Sequence, residues 1–280
     1  MNLKETVEVN PNPTLPRQFH ERTDHILDPK KNPIQTEVKK LGEYARKHKM
    51  KINKSKTKVM LFNQARNIDC LPEVKIDEDT NIEMVEEMKL LGVMLRDDLK
   101  WQSNTNNIIK KCYARMWMLR NLKKYGANED HLFETYVQQI RSISEMACPV
   151  WNGALTQLEI ISLERVQRTA LAIIRGVNHT NYYDALEHFR ISPLSDRREA
   201  LCLKFAIKAY KNPRFSKWFP RNQNTINTRT QKRPLAYIRT RTSRYKKSPI
   251  PYLNELLNTY LMNKEKLQTK AAGISTVQSL

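Results

Sequence analysis

Lys89-Leu-Leu-Gly-Val-Met-Leu-Arg-Asp-Asp-Leu-Lys-Trp101 is the stretch at which this chain changes period. Up to it, apolar residues come in short runs of strand length. Lys89 to Leu95 is the best of these runs, interrupted by Gly92, where a bulge or close backbone approach is expected. From Trp101 onward the period is helical. Ile108, Ile109, Cys112, Met116, Leu119 and Leu122 share one side of a helix from Ser103 to about Tyr125, with Gly126 as its stop. The fold class read from this change is α+β, mostly α: short strands first, then a helical bundle.

Further helices follow the same logic. Asn128 is placed to cap the next one, with Glu129 and Asp130 in its first turn, where the helix dipole favours acids. That helix carries Leu132, Tyr136, Ile140 and Ile143 and should end before Pro149. Thr156-Gln-Leu-Glu159 is a capping box that opens a helix through Ile160, Leu163, Val166, Ala170 and Ile174 to Gly176. Ser195 starts a fourth, with Leu201, Phe205 and Ala209 on one side and Asn212-Pro213 as its end.

The flanks are weaker. Residues 1–34 hold five prolines and read as an extended Pro-rich linker. Within 35–100, Thr36 to Met50 has helical spacing at Val38, Leu41, Tyr44 and Ala45. Val59 to Phe62, Val74 to Ile76 and Ile82 to Val85 have strand character. Residues 101–212 are the helical domain. Residues 213–280 form a basic tail in which Gln223 to Lys247 shows no period and is expected to be disordered without a partner, with a short helix over 252–261.

Composition narrows the function. The net charge is +20 and is unevenly spread. Asp69 to Asp98 holds ten acids against three bases, whereas Ala200 to Asn254 holds fourteen Lys and Arg and no acid. A basic arm on a globular body implies a polyanionic partner, RNA or DNA before a membrane surface. No apolar run approaches the roughly 20 residues of a membrane span, and Met1 to Pro16 lacks an apolar signal core. The expected location is therefore intracellular, nuclear or cytoplasmic, not secreted. Cys70, Cys112, Cys148 and Cys202 are widely spaced without metal-ligand patterns, and three of them fall inside apolar helical patterns and read as small core residues, with no metal site expected. With six glycines, a phosphate-cradling glycine loop is not expected either.

Lys49-Met-Lys-Ile-Asn-Lys-Ser-Lys-Thr-Lys-Val-Met-Leu-Phe62 and Lys89 to Trp101 together resemble the last two blocks of a reverse transcriptase palm of the non-LTR retrotransposon type. Tyr113 to Trp117, Cys148 to Trp151, Leu163 to Arg168 and Asp196 to Leu203 are similar, in the same order, to segments that follow the palm in jockey-like and CR1-like elements. The likeness covers roughly residues 5 to 258. It implies the C-terminal part of an RNA-directed DNA polymerase: a small antiparallel palm-edge sheet, then a helical thumb-like bundle and its extension. In that family the catalytic aspartate box precedes both blocks, and none stands upstream here. The resemblance thus implies a truncated chain, inactive alone, lacking catalytic residues and holding no cofactor, where the intact enzyme would use Mg2+. The missing polymerase half would be a partner. Asp97-Asp98 reads as a solvated turn rather than a metal box.

The same resemblance places Asn53 and Lys56 near an incoming nucleotide. A plainer reading has Lys54, Lys56 and Lys58 alternating outward from a half-buried strand. It also places Leu91 and Gly92 in the hairpin that holds a primer end, and Lys110 and Lys111 on a helix that grips template and primer. From physics alone, Arg229, Lys232, Arg233, Arg239, Arg241, Arg244, Lys246 and Lys247, interleaved with Tyr237 and Tyr245, form a backbone-reading nucleic-acid site. Phe215, Trp218 and Phe219 stand just before it. Trp117 and Trp151 read as core aromatics ahead of stacking platforms. A stand-alone nonspecific RNA- or DNA-binding protein is the alternative to a polymerase fragment.

Overall fold

The computed structural model describes residues 33–62, 73–77, 80–222 and 233–277. The Pro-rich stretch before Pro33, Cys70, and the tail residues Arg229 and Lys232 lie outside the described residues. The chain divides into two units at Ser103/Asn104.

The N-terminal unit contains α1 (Pro33–Lys47) and six short strands: β1 (Lys58–Val59), β2 (Lys75–Asp77), β3 (Thr80–Asn81), β4 (Glu83–Met84), β5 (Glu87–Leu90) and β6 (Val93–Arg96). They pair two by two: β2 with β3 and β5 with β6 antiparallel, β1 with β4 parallel. Of the runs with strand character around Ile76 and Ile82, Lys75–Asp77 pairs with Thr80–Asn81, and Ile82 N–H donates to Val74 C=O at 2.7 Å. The strand expected over Val59 to Phe62 is only Lys58–Val59, so Lys54 and Lys56 lie in a turn and do not alternate along a strand. Lys89 to Leu95 likewise is not one strand. It folds into a hairpin, with Leu90 opposite Val93, and Leu91 (φ 48°) and Gly92 (φ 92°) forming the two-residue turn. That is the left-handed geometry a tight hairpin requires, and only the second residue adopts it without strain. The Gln35 amide on α1 clamps both backbone groups of Lys75, at 2.7 and 2.9 Å.

The C-terminal unit is helical. Its main elements are α2 (Gln102–Lys124), α3 (Glu129–Tyr136), α4 (Ser142–Glu145), α5 (Cys148–Trp151), α6 (Gln157–Arg175), α7 (Tyr182–His188) and α8 (Leu194–Lys211). The tail adds α9 (Ser243–Lys246) and α10 (Pro249–Val277). Asn128 caps α3 through its side chain, and the Thr156–Glu159 box closes in both directions. The helix expected through Ile143 does run that far: α3 widens into one π-helical turn, Val137–Arg141, and continues as α4 to Glu145, after which the chain reverses at Ala147 (φ 53°), so that Pro149 sits in the first turn of α5. There its missing N–H leaves no bond unmade.

Two ties fix how α2 and α6 run. Thr105 Oγ1 donates to Glu159 near their starts, at 3.4 Å, and Lys123 Nζ donates to the Ile173 and Ile174 carbonyls near their ends, at 2.5 and 3.0 Å. The helices are therefore parallel neighbours. The Val137–Arg141 turn rides over one side of the pair, where Ile140 C=O accepts from Cys112 Sγ at 3.7 Å and Tyr136 donates to Gln167 at 2.5 Å. Cys112, Met116, Leu119, Ile140, Leu163 and Leu171 are fully buried in this core.

α8 buries Leu194, Arg198, Cys202, Ala206 and Ala209, a face one step away from the expected Leu201–Phe205–Ala209 line, and Phe205 is exposed. No side chain of its own caps α8. Glu164 on α6 does so instead, accepting from Leu194 N–H at 2.9 Å and Ser195 N–H at 3.1 Å while also bonding the Tyr182 hydroxyl. Arg198 is buried over Trp151, its Nε donating to Asn152 at 3.0 Å. Burial drives its pKa down.

In the tail, the helix expected over 252–261 runs from Pro249 to Val277 and packs on α5 and α8 through Leu253 and Leu257. The Tyr252 side chain packs tightly on Gly153, where a Cβ would collide with it. Arg233 to Thr240 has no regular element, as its sequence suggests, yet it is anchored. Leu235 is fully buried, and Asn258 on α10 meets both its N–H (2.9 Å) and its C=O (3.4 Å) as a strand neighbour would.

Candidate nucleic-acid interface

Among the residues named from sequence, the N-terminal unit holds four. Asn53 is occupied structurally: its Oδ1 accepts from Lys56 N–H (3.1 Å) and the Ser55 hydroxyl (2.8 Å), and its carbonyl accepts from Thr57. This turn presents Lys56 to solvent, while Lys58 pairs with Glu83. Leu91 is 94% exposed at the hairpin tip beside Gly92. A cleft of about 860 Å³ in the same unit is lined by Lys39, Arg46, Lys51, Lys54 and Lys75, offset by Glu43 and Glu73.

Asp97 and Asp98 form a turn, as read from sequence, but a half-buried and tied one rather than a solvated one. Asp98 accepts from Lys100 N–H (3.0 Å) and from Arg96 Nε (3.2 Å), and Asp97 accepts from Asp98 N–H (2.7 Å). Partial burial opposes ionisation of Asp98, but the Lys100 and Arg96 hydrogen bonds outweigh it and hold the carboxyl below its ordinary range. Among the described residues no cluster of three or more His, Cys, Asp or Glu is placed to hold a metal ion.

The tail residues separate into two kinds. Arg233 is committed: it pairs with Glu255 at 2.8 Å and lies over the Tyr237 ring at 5.8 Å. Arg239, Arg241, Arg244, Tyr245, Lys246 and Lys247 are exposed; Thr242 caps α9, which carries Arg244, Tyr245 and Lys246 and ends at Lys247. No ion pair among the described residues engages these cations. Phe219, expected near the nucleic-acid site, is instead a buried anchor edge-on to Tyr210.

A second basic surface lies on α2. Between Asp98 and Glu129 the sequence has seven Lys and Arg and no acid, a run visible in the sequence beside the longer one in the tail. Lys110 is exposed; Lys111 is half-buried toward the α3 side. At 3.6 residues per turn, Lys110, Tyr113, Trp117, Arg120 and Lys124 fall within about 80° of the helix circumference. That flank is turned away from the Val137–Arg141 turn. The matching side of α6 carries Leu158, Ser162, Arg165 and Thr169. Trp117 is 68% exposed there, which corrects its reading as a core residue, whereas Trp151 is fully buried and donates to Met146 C=O at 3.1 Å.

No family model matches the chain, and neither the curated proteins nor the solved structures contain a match to it. Among the described residues, no helix is long and apolar enough to cross a membrane.

Proposed function

We propose that this chain binds RNA or DNA without sequence preference, by phosphate contacts, as the substrate-holding part of a non-LTR-type reverse transcriptase, and does not polymerise by itself. The supporting observation is the placement of uncompensated positive charge. Two acid-free runs, Leu99 to Asn128 and Ala200 to Asn254, present exposed cations, while ten of the acids fall together between Asp69 and Asp98. Cations so placed read phosphates and carry no base information. The polymerase lineage rests on the order of the sequence blocks from Lys49 to Leu203. The commitment of Asp98 to Arg96 and Lys100 favours holding substrate over chemistry.

The test is affinity for a labelled 20-nucleotide RNA between 50 and 200 mM salt, which should fall steeply and linearly on logarithmic axes. Changing Arg239, Arg241, Arg244, Lys246 and Lys247 together to Gln should reduce that slope by about 3 to 4, at roughly 0.7 for each phosphate no longer neutralised. An unaltered slope would remove the tail from the interface, and absence of binding at 50 mM would end the proposal. Primer extension by the purified chain, abolished by Asp97→Asn and Asp98→Asn, would overturn the inactive reading.

A further inference from the structure

The flank of α2 differs from the tail in one respect: its cations surround a large exposed aromatic. We propose that Tyr113 and Trp117 form a stacking platform for unpaired bases, so that the α2–α6 face holds single-stranded nucleic acid in preference to duplex. This deepens the nucleic-acid reading above and rests on it.

Trp117 is 68% exposed and Tyr113 37%, on the flank that neither the Val137–Arg141 turn nor α6 covers. An indole left this open forgoes the burial that usually places Trp inside a core. Charge argues for the occupant. Lys110, Arg120 and Lys124 share the flank, Arg165 lies on the neighbouring α6 face, and α2 contains no acid. A protein partner with an ordinary mixed surface would meet cations here without counter-charge. A nucleic-acid strand offers phosphates for the cations and a π-face for each ring, the combination by which single strands are held without sequence reading.

Geometry favours the single strand. Tyr113 and Trp117 are one helical turn apart, about 6 Å along the axis at 1.5 Å per residue. That is nearly twice the 3.4 Å rise per base of a duplex strand, and it suits successive bases of an extended strand. Lys110 and Lys124 are separated by about 21 Å of helix, enough for the phosphates of roughly four such nucleotides. In a duplex the base faces are stacked on one another and closed to an indole on a rigid helix. Only the cations would then engage.

The experiment compares a 20-nucleotide oligothymidylate with a 20-base-pair duplex at one salt concentration, using the full chain and the Trp117→Ala and Trp117→Phe variants. Trp117→Ala should weaken oligothymidylate binding about 5- to 140-fold, the loss of one stacked base, with its salt slope unchanged. Trp117→Phe should recover most of this, and duplex affinity should not move. The tryptophan emission lost in Trp117→Phe should be the part that oligothymidylate quenches in the wild type. Equal loss for both ligands, or no loss with oligothymidylate, overturns the stacking platform while leaving phosphate binding intact. Failure of the wild type to bind either ligand overturns both readings. Trp117 makes no hydrogen bond or ring contact among the described residues, and an unchanged melting temperature in each variant verifies that the fold is kept.

Discussion

Removing the carboxylate of Glu164 should loosen the helical unit more than any comparable surface change. Pro193 precedes α8 and offers no side-chain cap, so the first amides of that helix depend on a residue 30 positions earlier. Glu164 supplies one oxygen to Leu194 N–H and the other to Ser195 N–H, and bonds the Tyr182 hydroxyl as well. Burial, then the bond to Glu164, pushes the Tyr182 phenol well above its ordinary pKa, so it remains a donor. A hydrogen bond to a charged acceptor contributes about 1.5–3 kcal/mol, and loss of a helix cap costs about 0.5–2 kcal/mol. These overlap, so Glu164→Ala should cost about 2–4 kcal/mol. Glu164→Gln keeps the volume and one acceptor but turns an amide N–H toward a backbone N–H, for about 1–2 kcal/mol. Urea unfolding followed by far-ultraviolet circular dichroism reads the helical unit, with the exposed Glu134→Gln as control. A Glu164→Ala cost below about 0.5 kcal/mol, or one equal to the control, would refute the idea that a distant carboxylate caps α8.

Three other outcomes are expected. The carboxyl of Asp98 is depressed, so its ion-paired form stabilises the fold above the ordinary carboxylate value of about 3.9, and that contribution is lost as pH falls below it; Asp98→Asn should flatten the acid limb of the stability profile below about pH 4, and an unaltered limb would show the pairing to be inconsequential. Burial pushes the Cys112 thiol up to about 12, and Cys202 is pushed up by its hydrogen bond to Cys148 and then by burial. The hydrogen bond from Cys202 pulls the Cys148 thiol the other way, downward, so burial alone shields it; in a Cys70→Ser background at pH 8, none of the three buried thiols should react with a disulfide reagent until the chain unfolds, and rapid native labelling would contradict the packing. Leu91→Asn places the favoured Asn-Gly pair in the hairpin turn and forfeits almost no burial, so the N-terminal unit should gain about 1 kcal/mol; a lower melting temperature would mean that the exposed leucine packs against something in the folded chain.

Much of the fold can be read directly from the chain. The change of period at Trp101 falls within a turn of the division between units, and Asn128 and the Thr156–Glu159 box cap the helices they announce. These are local devices: the donor and acceptor lie within a turn of each other, so their sequence spacing is their geometry. The α7 helix (Tyr182–His188) was less legible because it is short and its Asn181 cap precedes only two turns. The cationic runs are also visible as composition, including the one on α2 that carries the candidate platform.

What the sequence by itself determines, then, is where helices begin, which residues share a face, and that two stretches carry charge without counter-charge. It does not determine which part of a face is covered, because periodicity gives relative angles around an axis and no neighbour. Trp117 and Trp151 both suit a buried helical stripe, yet only Trp151 meets the core, and Phe205 yields its place to Ala206 because α8 is turned by one residue against α6 and α10. The tail shows the same division. Its lack of period forecasts no regular element from Gln223 to Lys247; Arg233 to Thr240 has none, whereas Ser243–Lys246 is a short helix. Its anchoring depends on Asn258 reaching Leu235 across 23 positions and on Tyr252 packing against Gly153, arrangements that exist only after the helices have packed.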